Sequence, residues 1–121
     1  MADLDLARRA VAAPGWRWKR GMIAMGRRGA PDAWMRVEDP EAGRQLHGEW
    51  AGAIPDLDDP ATVGCLLALV RERWGDSTTT TRSSADGDAW MVAGQRHPLV
   101  KASWCDTEAA ALVAALEVSF G

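Results

Sequence analysis

Hydrophobic residues recur at helical spacing in the middle of the chain. The predicted buried stripe consists of Val63, Leu66, Leu67, Val70 and Trp74. Asp59 can accept a hydrogen bond at the start of this helix, and Pro60 fits its first turn. Gly75 suits the left-handed backbone that ends many helices. The pattern therefore predicts a helix over about residues 60–74 with one face in the core.

Two further helical patterns lie towards the ends of the sequence. The first covers about Leu4 to Ala12 after an Asp3 cap, with Leu4, Ala7 and Val11 on one stripe. The last follows Asp106 or Thr107, and its predicted face consists of Ala109, Leu112, Val113, Leu116 and Phe120.

Gly64 lies inside the middle helix, where glycine costs about 1 kcal/mol relative to alanine. We therefore expect a close backbone approach at Gly64.

Alternating and β-branched segments predict short strands between these helices. The predicted strands cover residues 16–19, 22–25, 33–38, 77–81, 89–93 and 99–104, with a weaker one near 46–50. In the strand over 33–38, alternation predicts Trp34 and Arg36 on one face and Met35 and Val37 on the other. The sequence Gly26-Arg27-Arg28-Gly29 predicts one turn, and Asp86-Gly87 predicts a hairpin. The order of elements predicts an α+β fold. Its three helices pack on a mostly antiparallel sheet of five to six short strands, as a layered α/β/α sandwich.

Composition suits a single domain covering residues 1–121. Hydrophobic residues make up 47% of the chain and charged residues 26%, which is enough apolar surface for a folded core. No apolar run approaches the roughly 18 to 20 residues of a membrane span, and the first residues do not resemble a secretion signal. Cys65 and Cys105 lie forty positions apart, which is typical of reduced structural thiols. We therefore expect a soluble cytoplasmic protein.

Positive charge is concentrated in the first third of the chain. Residues 1–36 carry eight Arg or Lys and three Asp. Residues 37–121 carry six Arg or Lys and fourteen Asp or Glu. The basic positions interleaved with Trp16 and Trp18 are Arg17, Lys19, Arg20, Arg27 and Arg28. Alternation predicts Arg17 and Lys19 on the face opposite the two indoles. Arginine forms bidentate contacts with phosphate, so these five residues are candidates for binding a phosphate-bearing signal or nucleotide. The alternative is a solvated basic face over a tryptophan-filled core.

Tryptophan content indicates a second kind of site. Seven tryptophans in 121 residues exceed what a small core usually absorbs. Tryptophan is also enriched in binding hot spots, so some indoles are expected to meet a partner or a second copy of the chain. We predict Trp34 and Trp50 as this partner-binding pair and Trp74 as a core residue. Nucleic acid is disfavoured as a partner because the sequence pI is about 5.3.

Catalytic signatures are absent from the sequence. It contains no His-Glu-x-x-His pair, phosphate-binding glycine loop, Gly-x-Ser-x-Gly elbow or paired cysteines. Three less favoured alternatives remain: a nucleophile formed by Cys105 and His97, zinc held by histidine and cysteine, and a cation at the acidic residues. The histidines are His47 and His97, and the acidic residues are Asp56, Asp58 and Asp59. The sequence thus predicts a non-enzyme without metal or cofactor.

Three parts of the chain resemble the small phage and prophage proteins that carry the phage ABA-sandwich domain. They are Gly15-Trp16-Arg17-Trp18, the stretch from Asp59-Pro60-Ala61-Thr62 through residues 66–70 to Trp74-Gly75, and residues 107–109 with 111–116. The resemblance implies a layered architecture and a phage origin but no shared reaction. We therefore expect a phage accessory protein that binds a host macromolecule, such as an anti-CRISPR-type inhibitor. The alternative is a small-ligand binding module that captures an anion through the Arg-rich segment.

Overall fold

The computed structural model describes residues 4–27, 29–38, 52–94 and 104–118. In these ranges the helices are α1 (Leu4–Ala12), α2 (Pro60–Trp74) and α3 (Glu108–Glu117). The strands are β1 (Ile23–Arg27), β2 (Ala30–Arg36), β3 (Ile54–Pro55), β4 (Thr80–Ser83) and β5 (Trp90–Ala93). The chain is therefore an α+β protein, as the sequence predicts.

The described strands form two small antiparallel sheets. One has the strand order β2-β1-β3, and the other is the β4-β5 hairpin. Contacts group the described residues into two units. The first contains α1, the three-stranded sheet and residues 60–65 of α2, and the second contains the rest of α2, the hairpin, α3 and residues 13–16. A single domain over residues 1–121 stays a prediction.

Both ends of α2 are defined by local hydrogen bonds. At the start, the Thr62 backbone N–H donates to Asp59 Oδ2 at 3.0 Å, and the Thr62 hydroxyl donates to the same oxygen at 2.9 Å. At the end, Gly75 has φ of 62° and the Asp76 N–H donates to the Arg71 carbonyl at 3.1 Å. This pattern is a Schellman motif, which requires a residue that tolerates left-handed backbone. Both predicted ends of the helix are confirmed.

The buried faces of α1 and α2 differ from the predicted stripes. In α2 the buried residues are Thr62, Leu66, Leu69, Val70 and Trp74, whereas Val63 and Leu67 are only half-buried. In α1 the buried residues are Leu6, Ala7 and Ala10, and Leu4 is 46% exposed. The predicted placement of Leu4 in the core is therefore wrong. Local spacing fixes the helical period, but tertiary contacts decide which neighbouring positions face the core.

Gly64 occupies open space rather than a close approach. A Cβ built at this position meets nothing within 4 Å among the described residues, so the predicted backbone contact is wrong. Gly64→Ala is therefore expected to stabilise the chain by about 1 kcal/mol, since alanine loses less backbone entropy in a helix. Urea unfolding followed by circular dichroism measures this change. A Gly64→Ala variant that is less stable than the wild type would contradict the open environment.

Residues 16–19 do not form the predicted strand. Trp18 is buried and Arg17 is exposed, but no strand pairs with this segment among the described residues. The Met22 N–H donates to the Lys19 carbonyl at 3.2 Å, so a turn precedes β1 at this point. Alternating burial therefore arises here without a hydrogen-bonded ladder. The period-two pattern reports burial, whereas a strand also requires a neighbouring backbone.

The second unit is organised around the β4-β5 hairpin and α3. Helix α3 contacts both strands, and its Thr107 cap accepts a hydrogen bond from the Ala110 N–H at 3.0 Å. The Asp86-Gly87 turn lies between β4 and β5, as predicted. Strand β4 begins at Thr80 rather than near Ser77, because the Asp76 carboxylate binds the Thr78 N–H at 2.9 Å and holds a turn there. The strand predicted at 99–104 lies outside the described residues except for Trp104.

Candidate functional site

Trp34 is the most exposed large hydrophobic residue described in the chain, at 63%. It lies on β2, where Asp32, Trp34 and Arg36 are exposed and the intervening residues are half-buried. The next residue after the strand, Val37, is buried. Successive strand residues point to opposite faces, so Trp34 and Arg36 share one face. The prediction that Trp34 and Arg36 lie on the same face of the strand is confirmed.

Two further apolar residues lie in line with Trp34. Met25 on the central strand β1 lies directly opposite Trp34 on β2 and directly opposite Ile54 on β3. Met25 and Ile54 are half-buried. A row of three apolar side chains therefore crosses all three strands. We call these residues, Trp34, Met25 and Ile54, the Trp34 face.

An open groove borders this face within the first unit. Its volume is about 460 Å³. The residues that line it are Leu4, Arg8, Met25, Gly26, Asp32, Gly52 and Ile54. Leu4 is the exposed end of α1, and Arg8 carries an ion pair with Asp5 at 3.2 Å. The groove thus combines an apolar floor with one basic and one acidic side chain at its margin.

Arg36 is held in place at the end of β2. Its Nη1 donates to the Gly21 carbonyl at 2.6 Å and to Asp59 Oδ2 at 3.2 Å, and its Nη2 donates to Asp59 Oδ1 at 3.4 Å. Burial alone would raise the pKa of the Asp59 carboxyl. Hydrogen bonds from Arg36 and Thr62 outweigh burial and hold that pKa below its usual value of 3.8. Arg36 is therefore an ordered cation beside the Trp34 face.

The Asp59 carboxylate makes stability depend on pH. Because its pKa is lower in the folded chain than in the unfolded chain, its contribution is complete above the unfolded value and is lost as pH falls through the folded value. Asp59→Asn keeps a capping oxygen but removes the charge. The difference in unfolding free energy between the wild type and Asp59→Asn is therefore expected to shrink between pH 5 and pH 3, measured by urea unfolding. A difference that stays constant across this range would contradict the ion pair, and Asp58→Asn is the control.

The five predicted ligand-binding cations are not gathered at one place. Arg17 and Arg20 are exposed and Lys19 is half-buried, all in the segment before β1. Arg27 lies at the far end of β1, about 13 Å of strand beyond Ile23 at the usual rise per residue. Arg28 lies outside the described residues. The structure therefore brings three of these positions together along the chain and places the fourth at the opposite end of the strand.

The indoles interleaved with these cations point inwards to different degrees. Trp18 is buried and Trp16 is half-buried, so they are not offered as open stacking surfaces. Arg17 and Lys19 were expected on the face opposite both indoles. Arg17 and Trp18 fit this arrangement, whereas Lys19 and Trp16 are both half-buried.

The structure describes both cysteines, Cys65 and Cys105. The Cys65 thiol donates to the Arg20 carbonyl at 3.4 Å. Burial raises the pKa of this thiol and nearby Asp59 adds to the rise, against opposing effects of Lys19 and Arg36, so it is protonated at neutral pH. Cys105 bonds to Trp90 through both backbones, at 2.7 and 2.8 Å. His47 and His97 lie outside the described residues, so their predicted alternatives stay untested.

The acidic residues before α2 are used locally. The Asp58 N–H donates to Asp56 Oδ1 at 3.0 Å, and Asp59 caps the helix and pairs with Arg36. Across the part of the chain that the structure describes, no three His, Cys, Asp or Glu residues are grouped to hold a metal ion.

In the same ranges, no helix has both the length and the apolar character to cross a bilayer.

The sequence did not predict the exposure of Trp104. Trp104, just before α3, is 56% exposed in the second unit. The alternating pattern at 99–104 placed it at the end of a predicted strand, which gave no signal for exposure. Trp50 lies outside the described residues, and its predicted role with Trp34 stays a prediction. Trp74 is buried, as predicted.

Comparison with protein-family models, curated proteins and solved structures finds no significant match to this chain.

Proposed function

We propose that this chain is a non-enzymatic binding protein whose macromolecular partner docks on the Trp34 face. The observation that carries the proposal is the 63% exposure of Trp34 at the outer end of a three-strand apolar row. A large apolar side chain that stays exposed on a strand contributes little free energy to folding. When a partner covers it, apolar surface leaves water and binding is favoured. Truncation of a central interface tryptophan typically costs about 2 kcal/mol or more of binding free energy.

The charges around the face favour a protein partner. Arg36 and Arg8 supply cations near the apolar row, and Asp32 supplies an anion beside the groove. Mixed charges around an apolar centre are the usual composition of a protein interface. A nucleic acid partner would instead require a continuous basic surface, which the chain's net charge of −3 does not favour.

The class of protein follows from the resemblance to phage ABA-sandwich proteins. We place this chain among phage accessory proteins that bind a host macromolecule in the bacterial cytoplasm, with an anti-CRISPR-type inhibitor as the working example. The finer architecture, a layered sandwich with one sheet of five to six strands, belongs to the same proposal. The small size and the absence of catalytic motifs in the sequence support this class over an enzyme.

The chain offers a matched pair of variants to test partner binding. Trp34→Ala and Trp104→Ala each remove one exposed indole, from the first and the second unit respectively. Immobilised wild type and Trp104→Ala are expected to retain the same stoichiometric partner from host lysate, and Trp34→Ala is expected to lose it. Expression in phage-challenged cells with active CRISPR defence should raise plaque counts for wild type but not for Trp34→Ala. Equal retention by all three proteins would contradict the proposed surface.

The alternative function is binding of a phosphate-bearing ligand at Arg17, Lys19 and Arg20. The observation in its favour is the exposure of Arg17 and Arg20 within four residues of each other. Calorimetry against a panel of nucleotides decides this point. A saturable heat that disappears in an Arg17→Ala, Arg20→Ala double variant would support the ligand site, and no heat at millimolar nucleotide would contradict it.

A further inference from the structure

The Trp34 face continues from the sheet onto α1. The strand order is β2-β1-β3, and α1 contacts β3. Met25 and Ile54 line the groove from the sheet, and Leu4, which is exposed, lines the same groove from α1. An apolar band therefore runs from Trp34 on β2 across the other two strands to Leu4. We call Trp34, Met25, Ile54 and Leu4 the apolar band.

The apolar band crosses the strands instead of following one of them. Met25 pairs directly with Trp34 and with Ile54, so these three residues lie in a line perpendicular to the strands. Neighbouring strands are about 4.8 Å apart. An α-helix rises about 5.4 Å per turn, which is close to this spacing. A helix laid across the sheet therefore places about one turn over each strand.

A segment laid along β2 would cover less apolar surface. The exposed residues that flank Trp34 on this strand are Asp32 and Arg36, which are both charged. An extended strand beside β2 would therefore meet a single large, exposed apolar side chain. A segment that crosses the strands covers Trp34 together with Met25 and Ile54, so more apolar surface leaves water.

The described helices of this chain do not supply such a crossing segment. Among the described residues, the exposed large hydrophobic side chains are those of Leu4, Trp34 and Trp104. Of these three, only Leu4 lies on a helix. A described helix of a second copy would thus bring one exposed large apolar side chain to a band that spans three strands. The segment that fits the apolar band is therefore a helix of a different protein.

Two opposite charges set the direction of a helix in the groove. Arg8 lines the groove from α1 and Asp32 lines it from β2, so they lie towards opposite ends of the apolar band. The pair of Arg8 with Asp5 is exposed and therefore weak. The negative end of a helix dipole is its C-terminus, and the positive end is its N-terminus. A helix with its C-terminus near Arg8 and its N-terminus near Asp32 is thus favoured at both ends.

We propose that the partner docks through an amphipathic α-helix that lies across the three strands, with its N-terminus at β2 and its C-terminus at α1. Its large apolar residues are spaced at i, i+3 or i+4, and i+7, as in other helices that bind in a groove. The groove volume of about 460 Å³ lies within the usual range for binding sites. This inference rests on the proposed function, since it names the part of the partner that covers the Trp34 face.

A peptide library tests the kind of segment that binds. Random peptides of about 16 residues, or four helical turns, are displayed on filamentous phage, selected on the wild-type chain and depleted on Trp34→Ala. The enriched peptides are expected to share apolar residues at spacings of three and four, and to gain helical circular dichroism on binding. Leu4→Ala should weaken their binding by about tenfold. Peptides that alternate with period two, or no peptide that depends on Trp34, would overturn the proposal.

A charge exchange tests the direction of the helix. Arg8→Glu combined with Asp32→Lys reverses the charges at the two ends of the groove, and it should weaken binding of a selected peptide by about threefold or more. The control, Arg82→Glu with Asp88→Lys, exchanges exposed charges in the second unit and should bind within twofold of the wild type. Circular dichroism verifies that each variant is folded. Equal affinity for both double variants would contradict the proposed direction.

The helix and the proposed function can fail separately. A host protein that is lost from Trp34→Ala but held equally by the wild type and Leu4→Ala would keep the proposed surface and overturn the helix across it. Helical peptides that depend on both Trp34 and Leu4, with no host protein lost from Trp34→Ala, would keep the binding mode and overturn the proposed function. A wild-type dimer that Trp34→Ala abolishes in sedimentation equilibrium would assign the face to a second copy and overturn the inference.

Discussion

Replacing Gly94 with alanine is expected to lower the free energy of unfolding by about 3 kcal/mol. A Cβ at this position would overlap Asp76 Oδ2 and lie 2.8 Å from Thr79 Oγ1. Asp76 and Thr79 are both buried, and the Asp76 carboxylate also binds the Thr78 N–H. The methyl group fits only if the carboxylate moves and gives up its hydrogen bonds. Urea unfolding followed by circular dichroism measures the loss.

The control for Gly94 is the same substitution in open space, Gly64→Ala, which should stabilise the chain. A double variant with Asp76→Ala removes the overlapped carboxylate. In that background, Gly94→Ala is expected to cost at least about 1 kcal/mol less, because neighbouring substitutions are coupled. A Gly94→Ala variant as stable as the wild type would show that the close approach does not exist.

Trp74→Ala is expected to cost about 3 to 5 kcal/mol, the usual range for removing a buried aromatic side chain. Trp74 is 5% exposed at the end of α2, and its Nε1–H donates to the Ala115 carbonyl at 3.0 Å. The side chain therefore contributes both apolar burial and a hydrogen bond to the last turn of α3. Urea unfolding followed by far-ultraviolet circular dichroism measures the loss without relying on the removed fluorophore.

A conservative variant separates the two contributions of Trp74. Trp74→Phe keeps most of the ring but removes the donor, so it should cost less than the alanine variant and at least about 1 kcal/mol. The Ala115 carbonyl still accepts from the Val118 N–H at 3.2 Å, so it is not left without a partner. A loss below 1 kcal/mol for Trp74→Ala would contradict its place in the core.

The helices were largely predictable because their signals are local. Asp59, Gly75 and Thr107 act within one turn of the helix ends that they define, and α1 covers the predicted residues. Which side of a helix is buried depends on distant segments. Leu4 and Gly64 were misplaced for this reason: one was expected in the core and the other against a neighbouring backbone.

The strands were predicted less well because pairing is not local. Residues 16–19 alternate as a strand would, yet they have no paired neighbour among the described strands. Strand β4 was shifted by the turn at Asp76, whose side-chain hydrogen bonds to Thr78 compete with the extended conformation. Sequence periodicity cannot show such competition.

Of the candidate site, only the placement of Trp34 beside Arg36 was predicted from the sequence. The alternation around Trp34 was sufficient to place it on the same face as Arg36, and its residue type suggested a binding role. Its alignment with Met25 and Ile54 depends on the register of three strands, which the sequence does not specify. The basic positions were grouped by sequence distance, whereas β1 separates Arg27 from Arg20.

Titration of the proposed host partner, purified, against wild type, Trp34→Ala and Trp104→Ala tests the proposed binding surface most directly. We expect Trp34→Ala to weaken binding by about 30-fold or more, corresponding to about 2 kcal/mol. Trp104→Ala should bind within twofold of the wild type. An unchanged affinity for Trp34→Ala, with the loss falling on Trp104→Ala, would place the interface on the second unit and contradict the account.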